Sequence, residues 1–226
     1  NSNLVIAATN LARTHLLAGR LNVALENFLN LTTHHNDSAE AWTGLGTVYL
    51  SLERFEDAIS AFNKALKIVP DCIDALHNRG SVRQHLGQYE KAMIDYKQVA
   101  ILKPNCHQSH FNLGTLFQNQ SRHGEAIEAI QHTIELAPDH TAAYSYLAHS
   151  MMKVCRWKKL KVVTKKVIEL TEREITTGSN ISTAPFSLLQ ISAPGPVRLA
   201  AARHVASCAK CATTAKPDNQ SFTYTP

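Results

Sequence analysis

Trp42-x2-Leu45-Gly46-x2-Tyr49, followed by Ala58-x3-Phe62-x2-Ala65 and closed by Pro70, is the stretch on which the reading of the whole chain turns. Trp42, Leu45 and Tyr49 recur at intervals of three and four residues, so they share one face of a first helix. Phe62 and Ala65 share a face of a second. Gly46 and Ala58 supply no bulk where the two helices have to approach closely. Pro70 lacks an amide hydrogen and cannot extend the second helix, which marks the end of the unit. The stretch predicts a helix-turn-helix unit packed through its small residues.

The same slots return every 34 residues: Gly46, Gly80 and Gly114; Ala58, Ala92 and Ala126; Pro70, Pro104 and Pro138. Projected backwards, the register picks up Leu11, Ala12, Ala24 and Phe28, with Asn36 in the slot of the closing proline. This pattern and period resemble the tetratricopeptide repeat (TPR). The resemblance implies an all-α fold, a TPR superhelix (a right-handed α-solenoid of helix-turn-helix repeats) with a helical cap and a linker at its C-terminal end. Four repeats are expected from about Val5 to Pro138. A fifth first helix opens near Thr141, with Tyr144, Leu147 and Ala148 in register, so the array covers 1–153. Beyond it the pattern decays, because Leu160 stands where a small alanine belongs and no proline closes the unit. A helix from Trp157 to Ile175 is expected to cap the array over 154–176, covering the apolar edge that an end repeat leaves. The remainder, 177–226, reads as a connector with the apolar piece Phe186-Ser187-Leu188-Leu189. A short helix follows, entered at Pro196 and running from Val197 to about Lys210, and then a polar tail.

Composition is that of a globular chain, 44% hydrophobic and 18% charged. No basic segment followed by an apolar core opens it, so no secretory signal is visible; a first residue of Asn1 rather than Met suggests an excised piece. The charge-free run from Ile175 to Val197 is broken by Gly178, Pro185, Pro194, Gly195 and Pro196 and cannot span a membrane. The net charge of +5 is uneven: residues through Lys153 carry 12 basic and 14 acidic side chains, the rest 11 and 4. Five cysteines, an odd number, read as reduced thiols in the cytoplasm or nucleus.

The concave groove of such an array is lined mainly by first helices. The sixth position of each unit points there: Asn10, Gly44, Asn78, Asn112 and Tyr146. Asn10, Asn78 and Asn112 would form a ladder of amides able to hold the backbone of an extended peptide, each offering a donor and an acceptor. The alternative is that these asparagines only cap or bridge neighbouring helices. His77, Gln84, His85, Thr115, Gln118 and Asn119 are expected to line the same groove and make it polar and nearly uncharged. Arg79 and Arg83 fall in near-core slots, where their stems are expected to pack while the guanidinium groups reach solvent.

No metal site is expected. His34 and His35 are adjacent and diverge, His107 and His110 lack a third ligand, and His204 with Cys208-x2-Cys211 falls short of four. The cluster Arg156-x-Lys158-Lys159-x-Lys161-x3-Lys165-Lys166 beside Trp157 could seat a phosphate or nucleic acid, but a solvated face or docking onto an acidic neighbour is the favoured reading. No phosphate loop, dinucleotide fingerprint, HExxH or Gly-x-Ser-x-Gly occurs, so nothing supports catalysis by this chain alone.

Tyr146-Leu147-Ala148-His149-Ser150 leads into Val154-Cys155-Arg156-Trp157; Ala184-Pro185-Phe186-Ser187-Leu188-Leu189 and Val197-Arg198-Leu199-Ala200-Ala201-Ala202-Arg203 follow. This order resembles the junction between repeats and catalytic lobes in the O-GlcNAc transferase and SPINDLY-like protein glycosyltransferases. Arg156 departs from that family's usual acid, and the 184–189 strip lacks the histidine of the animal enzymes. The resemblance implies a recognition segment feeding Ser/Thr acceptor proteins to lobes that use a UDP-sugar donor. Those lobes would lie past Pro226, so no catalytic residue and no cofactor is carried over to this chain. The alternative is a stand-alone TPR adaptor. Both readings expect proteins or extended peptides as partners, with self-association open; nucleic acid and membrane are not expected.

Overall fold

The computed structural model describes residues 2–179, 181–182, 191 and 193–203. The described residues are helical with short turns between. The described residues up to Ser121 form one compact unit and those from Arg122 onward a second.

The first unit holds α1 (Ser2–Leu17), α2 (Leu21–His34), α3 (Ala39–Ser51), α4 (Phe55–Ile68), α5 (Ile73–His85), α6 (Tyr89–Leu102) and α7 (His107–Asn119). α1 pairs with α2, α3 with α4 and α5 with α6; each second helix also meets the first helix of the next pair, and α1, α3 and α5 touch in series. The small residues do what their spacing implies. A Cβ on Gly46 would lie 2.5 Å from the Phe62 ring, and one on Gly80 2.8 Å from Tyr96. Ala24, Ala58 and Ala92 are fully buried. α4 and α6 both stop two residues short of Pro70 and Pro104. Trp42 is only half-buried: its indole donates to the Asn36 carbonyl at 2.9 Å, and the Lys64 ammonium sits 4.1 Å from its ring centre.

One element of the period was not visible in the spacing of side chains. Gly19, Glu53, Gly87, Ser121 and Cys155 recur at 34-residue steps and all have positive φ, between 57° and 71°. Each follows the last turn of a first helix. In the turns at residues 19, 53, 87 and 155 the next amide reaches back to the carbonyl five residues earlier: Arg20 to His15, Arg54 to Tyr49, Gln88 to Arg83 and Arg156 to Met151, at 2.8–2.9 Å. That is the bond of a left-handed helix cap, which reverses the chain into the second helix.

Arg79 and Arg83 correct an expectation. Their guanidinium groups do not project freely into solvent; the side chains are 16% exposed and both turn onto Asp95, whose side chain is 1% exposed. Arg79 forks across the carboxylate (Nη2 to Oδ1 2.6 Å, Nε to Oδ2 3.1 Å) and also donates to Asn63 on α4 at 2.7 Å. Arg83 donates to Asp95 Oδ2 at 2.7 Å. The cause is a paired exchange within the period. Arg79 takes the slot of Leu45, and Asp95 the slot of Ala61, so a buried charge meets its counter-charge across the hairpin.

The second unit holds α8 (His123–Leu136), α9 (Thr141–Lys153) and α10 (Trp157–Thr177), with a further helix, α11, over 195–203. α9 packs on both α8 and α10. α10 is seven residues longer than α4, α6 or α8 and ends at Gly178 in the left-handed region (φ 66°). α10 is not outermost here, since Val167 is buried with Ala193, Val197 and Ala201. Pro196 sits in the first turn of α11, as its fixed φ favours. The 184–189 strip, residues 204–210 of the expected short helix, the ligand set His204, Cys208 and Cys211, and the tail all lie outside the described residues.

Candidate functional site

The first-helix side of the first unit carries two clefts. The larger, about 470 Å³, is bounded by His77, Ser81, Gln84 and His85 of α5, Tyr89 and Tyr96 of α6, and Gln108, Asn112 and Asn119 of α7. Histidine is the only titratable cation type among these residues, and there is no carboxylate. Tyr96 anchors the floor. Its ring is buried and its hydroxyl donates to Gln84 Oε1 at 3.3 Å. Burial pushes its phenol far above the usual range, against the opposing hydrogen bonds with Ser81 and Asn112, so it remains a protonated donor.

A chain of side-chain bonds continues from it. Gln84 Nε2 donates to the Thr115 hydroxyl at 3.4 Å, and that hydroxyl donates to the Asn112 carbonyl at 2.8 Å. Gln108 Nε2 donates to Asn112 Oδ1 at 3.2 Å. His77 lies 5.7 Å from the Tyr96 ring at a tilt of 57°. Burial pulls its pKa below the ordinary value, with Asp74 opposing, so it is a neutral ring near pH 7 that can donate at one nitrogen and accept at the other. His85 is exposed and stacks on Phe55 (5.8 Å, 9°). Thr115 is buried, Asn119 exposed at the edge, and Gln118 half-buried on α7 outside the lining.

The second cleft, about 360 Å³, runs over α1, α3 and α5 and holds Asn78, whose Nδ2 donates to Thr47 Oγ1 at 3.3 Å. It is charged where the first is not: Arg13, Glu40 and Asp74 line it. Asn78 and Asn112 thus sit in separate clefts, and Asn10 is exposed on α1 outside both. What the sixth position meets explains the difference. At two units it faces the second-helix aromatic of the preceding hairpin, as a Cβ on Gly44 would lie 2.2 Å from the Phe28 ring and Asn112 bonds the Tyr96 hydroxyl, whereas Asn78 bonds Thr47 of the preceding first helix.

Other residues singled out in the sequence have local partners. His34 Nδ1 lies 2.9 Å from the Asn30 carbonyl, and His110 Nε2 2.9 Å from that of Pro104. Among the described residues no three His, Cys, Asp or Glu side chains converge as a metal requires. Cys72, Cys106 and Cys155 are free thiols. No helix among the described residues is long and apolar enough to cross a membrane.

Residues 39–72, 73–106 and 107–140 each match a tetratricopeptide-repeat family model. A search of curated protein sequences returned no match. Solved structures resemble the chain in fold. A crystal structure of a MamA protein is 18% identical, with a TM-score of 0.67 over 78% of this chain and 96% of that one. A MamA fragment from Desulfovibrio magneticus RS-1 is 21% identical, with a TM-score of 0.66 over 77% and 97%. YrrB, described as a TPR protein with an unusual peptide-binding site, is 23% identical, with a TM-score of 0.63 over 74% and 86%.

Proposed function

We propose that this array of tetratricopeptide repeats is a protein-interaction module that holds an extended polypeptide in the cleft between α5 and α7. The observation that carries the reading is the composition of that cleft. Gln84, Gln108, Asn112, Asn119, Ser81 and neutral His77 offer donors and acceptors without net charge, over the buried hydroxyl of Tyr96. A peptide backbone presents alternating N–H and C=O groups along its length. Uncharged amides match both and read little of the side chains, which suits a module with several clients. The peptide-binding site named for YrrB agrees with this use of the fold.

The adaptor reading is preferred to the narrower one, a recognition segment of an O-GlcNAc transferase-like enzyme. The latter rests on short strips, one of them outside the described residues, and the fold relatives are repeat proteins. The free thiols Cys72, Cys106 and Cys155 favour a reducing compartment, cytoplasm or nucleus.

The test is selection of binding peptides from a random display library on the full chain, followed by mapping through amide and side-chain NMR shifts. Perturbations should centre on His77, Gln84 and Asn112, and Gln84→Ala with Asn112→Ala should weaken binding by roughly tenfold, about 1.4 kcal/mol. Selected peptides that perturb other surfaces, or bind the double variant equally well, would refute it.

A further inference from the structure

The second unit carries a different cleft, about 580 Å³, on the side of α8 and α10, lined by Gln131, Met151, Cys155, Arg156, Trp157, Lys158 and Lys159. Its floor is apolar, but Met151 is only 2% exposed, so the apolar surface open to an occupant is the Trp157 side chain, 59% exposed. Arg156, Lys158 and Lys159 are all exposed, and no acidic side chain lines the cleft.

Arg20, Arg54, Arg122 and Arg156 occupy one slot, the residue just before α2, α4, α8 and α10, and Arg20 is followed three residues on by Val23. Arg54 pairs with Asp57 three residues on (2.6 Å), and Arg122 pairs with Glu125 in the same way. In α10 the residue three positions on is Lys159. The guanidinium that two other hairpins neutralise internally is here left beside a second cation, with Lys158 as a third. Like charges held together beside an exposed apolar side chain favour an anionic occupant, because it relieves their repulsion on arrival.

We infer that this cleft is a docking site for an acidic peptide segment bearing an apolar anchor residue, whose carboxylates pair with Arg156 while the anchor packs on Trp157. The cleft beside Trp157 is what favours a peptide over a nucleic acid. A phosphate backbone would use the cations and leave only the exposed Trp157 ring for a base to stack on, whereas a leucine or phenylalanine among glutamates also fills the cleft beside that ring. The site is built from residues 131–159 and is independent of the α5–α7 cleft.

The experiment is fluorescence anisotropy with the full chain and a labelled peptide carrying a central Leu-Phe pair flanked by glutamates. A control peptide has the pair replaced by serines, and oligodeoxythymidylate and anionic phosphatidylserine vesicles serve as competitors. Saturable binding is expected, weakened roughly tenfold or more by Lys159→Glu, which restores within α10 the acid found in α4 and α8 and so occupies Arg156. Trp157→Ala should weaken it comparably, and the serine control should bind more weakly than the parent peptide. The Lys159→Glu chain should melt no lower than the wild type, which separates lost binding from lost folding. Absence of saturable binding, affinity unchanged in Lys159→Glu, equal binding of the serine control, or tighter binding of the oligonucleotide or vesicles than of the peptide would each overturn the proposal.

Discussion

The hairpins α3–α4 and α5–α6 occupy the same 34-residue frame yet are held together by opposite chemistry. In the first, Leu45 and Ala61 meet in an apolar seam, 2% and 3% exposed. In the second, the same slots hold Arg79 and Asp95, with Arg83 where Tyr49 stands, and the seam is an ion triad reaching to Asn63 of the previous hairpin. The backbone frame tolerates either solution, provided both partners change together. A repeat therefore specifies distances between slots more strictly than it specifies what fills them.

The largest test of that comparison is Asp95→Ala. Two guanidinium groups would be left without a counter-charge in a site only 16% exposed, and unfolding in denaturant should show a loss of about 3–5 kcal/mol. Transplanting the neighbour's solution, Arg79→Leu with Arg83→Tyr and Asp95→Ala, should recover that loss. It would then leave the chain about as stable as the parent or more so, as replacements of buried ion networks by packed apolar groups commonly do. If the single and triple variants melt alike, the seam is not a coupled unit.

The close approach of the helices gives a smaller effect. Gly46→Ala would drive a methyl into three Phe62 ring atoms within 2.9 Å, whereas Gly80→Ala meets only one Tyr96 atom under 3.0 Å. Costs of about 1–3 kcal/mol are expected, with Gly46 the worse of the two in thermal melts. Smaller again is the turn. Glu53 holds φ 57° where the next hairpin has Gly87 at 70°, so Glu53→Gly should raise stability by about 0.5–1 kcal/mol and Gly87→Glu should lower it similarly.

The smallest effect separates Thr43 from His77, which share a slot. Burial lowers the folded-state pKa of His77, so the unfolded chain binds more protons between the two pKa values. Its contribution is complete above about pH 6.5 and is lost as pH falls from there through the lowered folded value. Comparing urea midpoints of the wild type and His77→Thr between pH 7.5 and 5 should show a shallower decline in the variant. Equal slopes would remove His77 from the account.

Much of this was legible in the residues. The 34-residue return of glycine, alanine and proline fixes where helices start, approach and stop, because each of those residues has a backbone or steric reason to be there. The left-handed turn was not legible: Glu53, Ser121 and Cys155 hide a conformation that Gly19 and Gly87 alone would have suggested. The triad was missed for a different reason. Asp95 lies 16 residues from Arg79, on another helix, and by itself looks like a surface acid. The readable signal was the double exchange against Leu45 and Ala61 in the frame. Of the candidate site, the period of Asn78 and Asn112 was plain. Which cleft each enters depends on what the preceding hairpin offers, Thr47 in one case and Tyr96 in the other. A pattern read along one chain does not encode that.

The left-handed residue that recurs after every first helix has a consequence for how such a gene can change. Because each hairpin turn of residues 19, 53, 87, 121 and 155 is closed by bonds within a few residues, no unit borrows its reversal from a distant strand or a neighbour's loop. A duplication or loss of one 34-codon block, begun at any point in the frame, rejoins a helix to a helix in the same phase and leaves every turn intact. Length is then a neutral variable on which selection can act, while the exchanges seen at Arg79 and Asp95, or at Lys159, give each copy its own identity afterwards.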